Sequence, residues 1–228
     1  MSETDSLPIH IRPTKSEIFE RARGAVPFDY WAMAGLNLNG YRFGAARYIQ
    51  TDFPSAAVER YYAEKLYLAD IFVKVAMTSE IPVTEETVYG DMKPDPRVVN
   101  LFNSVGVRNR TIIPLRSSGK IFAGFTITRQ EPFTAGEIHF LSLMARPIHD
   151  ELTTETTREL AIDLHDLKSG EIECLRHASR GLTSEQIAGA SAYTVETVNS
   201  YLKSVVKKMH VANRVEAVAE AIRQKIID

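Results

Sequence analysis

The end of the chain carries apolar residues whose spacing fits an α-helix. From Val195 onward they are separated by three, four, three and four residues, the repeat of a helix with one buried face. They are Val195, Val198, Leu202, Val205 and Met209. Thr194 directly before them is a typical N-cap, because its hydroxyl can accept a hydrogen bond from an otherwise free backbone N–H. The sequence therefore predicts an amphipathic helix that begins after Thr194 and packs on other helices.

Three further helix signals surround this one in the C-terminal part of the chain. Ser169 is a candidate cap for the first helix, Thr183-Ser-Glu-Gln186 is a capping box for the second, and Asn213 opens the last. Gly181 is suited to end the first helix, since glycine adopts positive φ without strain. Four short helices with tight turns predict a compact all-α domain, in which the second and third helices have the form of a helix-turn-helix.

The preceding part of the chain mixes helix and strand signals. The clearest strands are Thr111–Leu115 and Ile121–Thr128, with hairpin residues between them. Thr134-Ala-Gly-Glu137 is a capping box that opens a long helix. Helices on the flanks of a central sheet predict an α/β/α sandwich.

These patterns predict two domains and a connection. Residues 1–150 form the sandwich, 151–163 are polar and threonine-rich and are interpreted as a linker, and 164–228 form the helix-turn-helix domain. The predicted fold class is therefore α+β, an N-terminal α/β/α sandwich followed by a C-terminal all-α four-helix domain.

The polar face of the amphipathic helix carries groups suited to double-stranded DNA. Between Thr194 and His210 there are three lysines and one acid, a local charge of +2 in a chain of net charge -2. Asparagine can read an adenine edge and lysine can read guanine or a phosphate. The candidate DNA-binding residues are Thr183, Ser184, Thr194, Thr197, Asn199, Ser200, Lys203, Lys207 and Lys208.

Composition and motifs argue against other function classes. The single cysteine, Cys174, excludes an internal disulfide, and six scattered histidines offer no compact metal spacing. We find no phosphate-binding loop or nucleophile elbow, and therefore expect no enzyme, catalytic residue, metal or cofactor. The first residues do not resemble a secretory signal, and no run approaches the roughly 20 apolar residues of a membrane helix. We expect a cytoplasmic protein with no membrane partner.

The C-terminal part resembles the DNA-binding domain of the LuxR family. The resemblance rests on Leu167-Lys-Ser-Gly-Glu-Ile-Glu-Cys-Leu175, Gly181-Leu-Thr-Ser-Glu-Gln-Ile-Ala188, Thr194-Val-Glu-Thr-Val198 and Val211-Ala-Asn-Arg-Val-Glu-Ala-Val218. It implies a DNA-binding transcription regulator involved in quorum sensing. Three positions depart from the family pattern. Gly170 stands where the family usually has Arg, Asn199 where it commonly has Lys or Arg, and Tyr201 where it commonly has His.

The N-terminal part resembles, more weakly, the acyl-homoserine-lactone-binding domain of the same family. The resemblance rests on Glu59-Arg-Tyr61, Asp70, Ile112-Ile-Pro-Leu-Arg116 and a helix that ends near His149. It implies that Asp70 accepts a hydrogen bond from the ligand amide and that Tyr61 packs in the pocket. A helix N-cap is an alternative role for Asp70, and core packing is one for Tyr61.

Several ligand contacts that the family uses are replaced in this chain. The tryptophan that holds the lactone carbonyl corresponds to Ala57, and a tyrosine that contacts the acyl carbonyl corresponds to Phe53. Arg110 stands where the family usually has glycine. The candidate ligand-binding residues are Phe53, Ala57, Tyr61 and Asp70.

These departures predict a homodimeric regulator that is independent of lactone or responds to a non-standard small molecule. Two alternatives remain open. One is a lactone-responsive regulator with a rearranged pocket, in which Tyr30 or Trp31 fills the vacated space. The other is an interaction protein that pairs with another regulator and blocks it. The long helix from Thr134 is a candidate dimer contact, and the last helix is another, through Val218, Ala221, Ile222 and Ile226.

Overall fold

The computed structural model describes residues 9–11, 16–36, 48–117 and 119–228. The chain divides into two compact units between Leu152 and Thr153. The first unit is a sheet covered by helices and the second is all helical, so the predicted α+β fold class is confirmed.

Within the described residues, six strands of the first unit form one sheet. They are β1 (Ile9–Ile11), β2 (Tyr30–Ala34), β3 (Tyr48–Thr51), β4 (Val83–Thr84), β5 (Thr111–Ser117) and β6 (Lys120–Thr128). Their order is β1-β3-β2-β6-β5-β4, and neighbours are antiparallel except for the parallel pair β1 and β3. The predicted hairpin is present as β5 and β6, in which Ile113 pairs with Phe125.

One face of the sheet holds the main core of this unit. Phe19 on α1 (Glu17–Ala25) and Leu141 on α6 (Ala135–Leu164) pack there against alternate strand residues such as Met33 and Phe125. Trp31 also lies on this face, with its ring 4.5 Å from that of Phe19. Because successive strand residues face opposite sides, their neighbours Ala32, Ile112 and Thr126 belong to the other face.

Four short helices cover the other face. They are α2 (Ser55–Ala63), α3 (Ile71–Ala76), α4 (Glu85–Asp91) and α5 (Pro96–Ser104). Asp70 caps α3, Thr84 caps α4 and Asp95 caps α5, each by accepting a backbone N–H. Helices on both faces make the predicted α/β/α sandwich.

The predicted linker is helical. Helix α6 runs for 30 residues and includes 151–163. It begins at the predicted capping box, where Glu137 accepts hydrogen bonds from the backbone and hydroxyl of Thr134. The linker assignment itself stays a prediction, but its residues are part of a helix, in which Thr153, Thr157 and Ala161 form a buried stripe at helical spacing.

The second unit contains four predicted helices in a compact bundle. They are α7 (Ser169–Ser179), α8 (Ser184–Ala190), α9 (Val195–Lys208) and α10 (Arg214–Arg223). Cys174, Ile187, Val198 and Leu202 form their common core. Thr183, Thr194 and Asn213 cap the last three helices as predicted. In the first helix Lys168 and not Ser169 is the N-cap residue, and its backbone N–H donates to Glu171. None of the described helices is long and apolar enough to span a membrane.

Candidate ligand cavity and nucleic-acid interface

A cavity of about 150 Å³ lies between the sheet and the short helices of the first unit. Its floor is formed by residues of the sheet, including Ala32, Ile112, Gly124 and Thr126. Its walls are rich in aromatic rings. The aromatic residues are Phe53, Tyr61, Tyr62, Tyr67, Phe72 and Phe102.

The structure brings three of the four candidate ligand-binding residues to this cavity and places the fourth next to one of them. Phe53, Ala57 and Tyr61 line it directly. Asp70 is 1% exposed and lies behind the wall, where it contacts the Tyr61 hydroxyl. The position that corresponds to the family's tryptophan is thus a buried methyl group, with no polar atom in its side chain.

The two aromatic residues expected to refill the pocket behave differently. Trp31 packs on the opposite face of the sheet, against Phe19 and Phe125, so its predicted refilling role is wrong. Tyr30 stacks on Phe53 with ring centroids 5.7 Å apart, and is therefore next to the cavity wall.

The carboxylate of Asp70 receives three hydrogen bonds from its own chain. The backbone N–H of Phe72 donates to Oδ1 at 3.2 Å, which makes Asp70 the N-cap of α3. The Tyr61 hydroxyl donates to Oδ2 at 3.1 Å, and Arg110 Nη1 donates to the same oxygen at 2.7 Å. The alternative N-cap role of Asp70 is therefore confirmed, and its predicted role toward a ligand amide stays a prediction.

Arg110 is the centre of a buried polar network. Its side chain is 3% exposed, and besides Asp70 it contacts Glu85 Oε1, 3.0 Å from Nε and 2.9 Å from Nη2. Nη2 also donates to the Tyr89 hydroxyl at 2.8 Å. Phe72 and Phe102 lie against the guanidinium, with ring centroids 4.7 and 4.1 Å from Cζ.

The electrostatics of this network favour a charged arginine. Burial disfavours the guanidinium charge, but Asp70 and Glu85 outweigh it and raise the pKa of Arg110 above its usual value. Burial, followed by the nearby Asp70 carboxylate, raises the pKa of Tyr61 well above its usual value. The arginine stays protonated and the tyrosine stays neutral, so both remain donors to Asp70.

Sequence reasoning noted Arg110 only as a departure and missed its partners Glu85 and Tyr89. Glu85 is the first residue of α4, a helix that we did not predict, and Tyr89 lies one turn later. A usable signal was present, because a charged residue directly before a buried strand requires a partner of opposite charge.

In the second unit, α9 presents the predicted polar face. Asn199, Ser200, Lys203 and Lys207 are exposed, while Val198, Leu202 and Val205 are buried. Thr194 caps this helix by accepting the backbone N–H of Thr197, and the two hydroxyls are 3.1 Å apart. Thr183 caps α8 in the same way, through the backbone N–H of Gln186. These threonines therefore fix the starts of both helices of the helix-turn-helix.

One hydrogen bond joins the polar surfaces of these two helices. The Ser184 hydroxyl at the start of α8 donates to Asn199 Oδ1 at 2.7 Å. The Asn199 amide is exposed but held by this contact. Its second oxygen lone pair and its amino group face no other protein group among the described contacts.

Lys208 contacts its own domain. Its Nζ lies 2.8 Å from Glu171 Oε2, a side chain that is 5% exposed, and donates to the Asp166 carbonyl. Burial raises the pKa of Glu171, but its bonds to Lys208 and other donors outweigh this and lower it overall. Lys208 is therefore held in an ion pair that ties α9 to the start of α7, unlike the exposed Lys203 and Lys207.

Tyr201 faces α7 and not the polar surface. A Cβ on Gly170 would lie 2.7 Å from the Tyr201 ring, so glycine is required for this packing. Tyr193 packs on Tyr201 with ring centroids 5.2 Å apart and donates its hydroxyl to Glu173. Two departures from the family pattern, Gly170 and Tyr201, are thus in contact.

The described residues contain no group of three or more acidic, histidine or cysteine side chains that could hold a metal ion. Cys174 is buried in the core of the second unit.

Comparison with known proteins gives matches in both units. The sequence profile described as "Bacterial regulatory proteins, luxR family" matches residues 167–221, and that described as "Autoinducer binding domain" matches residues 14–152.

The chain is similar to the transcriptional activator protein RaiR of Rhizobium etli, with 25% identity over 174 residues that cover 72% of this chain and 71% of that protein. It is also similar to the transcriptional activator protein AhyR of Aeromonas hydrophila, with 23% identity over 184 residues, 76% of this chain and 71% of that protein. Among solved structures, Escherichia coli SdiA has 16% identity and a TM-score of 0.49 over 94% of each chain.

Proposed function

The chain belongs to the LuxR family of bacterial regulatory proteins, with an autoinducer-binding domain before its DNA-binding domain. On that premise we propose that it is a homodimeric transcription regulator that folds and binds DNA without an acyl-homoserine lactone. The observation that carries this proposal is the ion pair between Arg110 and Asp70.

A buried carboxylate needs donors, because an unpaired charge in an apolar surrounding is strongly unfavourable. In a lactone-dependent regulator the ligand amide would be one of these donors. Here Arg110, Tyr61 and the Phe72 backbone supply three donors from the chain itself. The carboxylate is therefore stable in the folded domain when no ligand is present.

Two further features weaken lactone binding. Ala57 and Phe53 line the cavity where the family has polar aromatic donors, and neither side chain can donate a hydrogen bond. Each lost donor typically costs about 1 to 3 kcal/mol, which is roughly 10- to 100-fold in affinity. A lactone amide would in addition have to displace the guanidinium from Asp70.

For DNA recognition, α9 supplies the direct contacts. Asn199 presents an amide suited to adenine, and Lys203 is placed one turn later on the same exposed face for guanine. We propose that five further residues contact phosphates and so fix the position of the domain along the DNA. They are Lys207, Ser200, Thr197, Thr183 and Ser184. Lys208 is left out because its amine is paired with Glu171.

Dimer formation is proposed through exposed apolar residues of α10 and α6. Val215 and Ile222 on α10 are 78% and 44% exposed, and Leu143 on α6 is 64% exposed. The earlier choice of Ala221 and Ile226 as contacts is wrong, because both are fully buried in their own domain. Symmetric dimers double the readout of one helix-turn-helix.

The test uses the full chain produced in a host without lactone synthase. Its mass in solution gives the oligomeric state, and selection from a random DNA library gives the binding site. We expect a soluble dimer that selects a two-fold symmetric site, with an affinity that changes by less than about twofold when N-hexanoyl-homoserine lactone is added at fixed salt. Lys203→Ala should weaken binding, whereas Lys74→Ala, an exposed lysine of the first unit, should not.

Protein that stays insoluble until lactone is present would overturn the proposal and favour a rearranged lactone pocket. A folded protein that selects no DNA sequence would instead favour a role in blocking another regulator.

A further inference from the structure

The cavity remains open after its charged neighbours are paired. Arg110 lies at its wall, but its donors point to Asp70, Glu85 and Tyr89, and aromatic rings lie against the guanidinium. The Tyr61 hydroxyl donates to Asp70. The Thr51 hydroxyl donates to the Trp31 carbonyl at 2.6 Å and accepts the backbone N–H of Phe53. The hydrogen bonds of these polar side chains are thus made to other groups of the protein.

The other hydroxyl-bearing residues in the described lining are neutral. They are Tyr62, Tyr67 and Thr126, and none of them can balance a full charge on a ligand. Among the residues that the structure describes, the rest of the lining is apolar, with Ala57, Val58 and Ile112 among its members. A ligand would therefore be recognised by shape and by buried apolar area.

We propose that this cavity binds a small, neutral, apolar molecule, such as a single aromatic ring or a short alkyl chain without a charged or amide headgroup. The volume of about 150 Å³ is sufficient for such a molecule, since apolar cavities of this order take up benzene. This inference rests on the proposed function, because Arg110 must remain paired with Asp70 to leave the cavity without a charge partner.

Charged ligands are disfavoured by the same network. Arg110 at the wall is paired with two carboxylates behind it, so the network as a whole offers an anion no net positive charge. A cation could be attracted by the carboxylates, but Asp70 lies behind the wall and is already paired. Either ion would lose its hydration without gaining a partner.

The experiment titrates the full, lactone-free dimer with toluene, benzoate and benzylamine, which share one ring and differ in charge. Backbone amide signals of Gly124 and Ile112, which lie at the cavity floor, are followed by TROSY NMR. We expect toluene to shift these signals and to bind at least about 10-fold more tightly than either ion, because burial of an unpaired charge is costly. Nuclear Overhauser contacts from toluene to the Ala57 methyl group locate the ligand without any mutation.

A matched pair of variants tests the location. Ala57→Leu fills the cavity from α2, and Ala56→Leu places the same side chain on the exposed face of that helix. We expect Ala57→Leu to abolish the toluene shifts and Ala56→Leu to retain them. A well-dispersed spectrum that toluene leaves unchanged, or equal binding of benzoate, would overturn the inference while leaving the proposed function intact. A spectrum that is dispersed only after lactone is added would overturn the proposed function, and this inference with it.

Discussion

Asp70 performs two tasks with one carboxylate. Oδ1 caps α3 through the Phe72 N–H, and Oδ2 accepts from Tyr61 and Arg110 at the edge of the cavity. Because the same group fixes a helix start and neutralises a buried guanidinium, changes at the cavity are coupled directly to the stability of the helical layer.

Arg110→Met is expected to destabilise the first unit strongly. The change keeps much of the apolar stem but leaves Asp70 and Glu85 without their cation, and breaking a buried ion pair typically costs about 3 to 5 kcal/mol. Urea unfolding of the full chain measures the effect, with Arg97→Met on the exposed start of α5 as the control. Adding Asp70→Asn should recover part of the loss, and a variant as stable as the wild type would contradict the role assigned to Arg110.

Ser184→Ala is expected to reduce the preference of Asn199 for adenine. The serine hydroxyl holds the amide of Asn199, and a bidentate amide contact provides about 1 to 3 kcal/mol of discrimination between bases. Binding to the selected site is compared with binding to sites in which one adenine is replaced. Ser200→Ala on α9 is the control, because loss of a phosphate contact should weaken binding to all sites equally. Equal discrimination in Ser184→Ala and wild type would show that the contact does not orient the amide.

At the residue scale, the sequence was informative wherever the chemistry is local. The caps Thr183, Thr194 and Asn213 were predicted because a cap and its partner lie three residues apart. The ion pair of Arg110 with Asp70 spans 40 residues, and no periodicity connects such distant positions. Its pairing depends on tertiary structure, which is why the candidate site was found but its central residue was not understood.

Among the helices, the contact between α7 and α9 depends on a missing side chain. Gly170→Ala is expected to destabilise the second unit by about 1 to 3 kcal/mol, the usual cost of overpacking, because the new Cβ would lie 2.7 Å from the Tyr201 ring. The same substitution at Gly189, where a Cβ meets nothing within 4 Å, is the control. In a Tyr201→Ala background the cost should largely disappear, and full additivity of the two changes would contradict this contact.

The start of α6 should give the protein an acid-sensitive stability. Two hydrogen bonds from Arg129 and others from Thr134 lower the pKa of Glu137 from 4.5 to about 2. A lowered folded-state pKa stabilises the fold at pH values above about 4.5, and this contribution is lost as pH falls toward 2. Glu137→Gln should therefore lower stability by about 1 kcal/mol at neutral pH, after allowance for solvent screening.

The check for Glu137 is thermal unfolding between pH 2 and pH 7, a range set by its lowered pKa of about 2. The difference between Glu137→Gln and wild type should shrink as the pH falls. Glu20→Gln, on the exposed side of α1, is the control. A difference that is independent of pH would contradict the assignment.

Most of the elements were predictable, but α4 was missed and the helical structure of 151–163 was not recognised. The stretch 151–163 was interpreted as a linker because threonine is neither strongly apolar nor a good helix former. In the structure Thr153, Thr157 and Ala161 recur every four residues on a buried face of α6. Small and weakly polar residues can form such a face without producing an apolar period in the sequence.

For the whole molecule, the two-domain organisation followed from the change of pattern along the chain, from mixed strands and helices to helices alone. The net charge of -2 carried no sign of DNA binding. That function was apparent only from one helix face and from the resemblance around it. The sequence could not identify the dimer contacts of α10, because the packing of the bundle decides which of its apolar residues are buried and which are exposed.

Dimer formation on DNA should depend on α10. Val215→Lys combined with Ile222→Lys places two charges on its exposed apolar positions, and we expect the affinity for a symmetric site to fall by at least about 10-fold, or 1.4 kcal/mol. Binding to a single half-site should change little. Ile81→Lys, a 69% exposed position of the first unit, is the control, and an unchanged affinity of the α10 variant would exclude this helix as a dimer contact.

Arg110 also stabilises the folded state in a different way from a dissolved signal molecule. A ligand that binds only the folded state adds a stabilisation that grows with the logarithm of its concentration, so a ligand-dependent regulator measures that concentration through its own folding. The guanidinium of Arg110 is part of the chain, so its contribution to the stability of the fold does not depend on the concentration of any ligand. The remaining mass-action variable for assembly is the abundance of the chain itself. On this view synthesis and degradation of the chain set the output of the regulator.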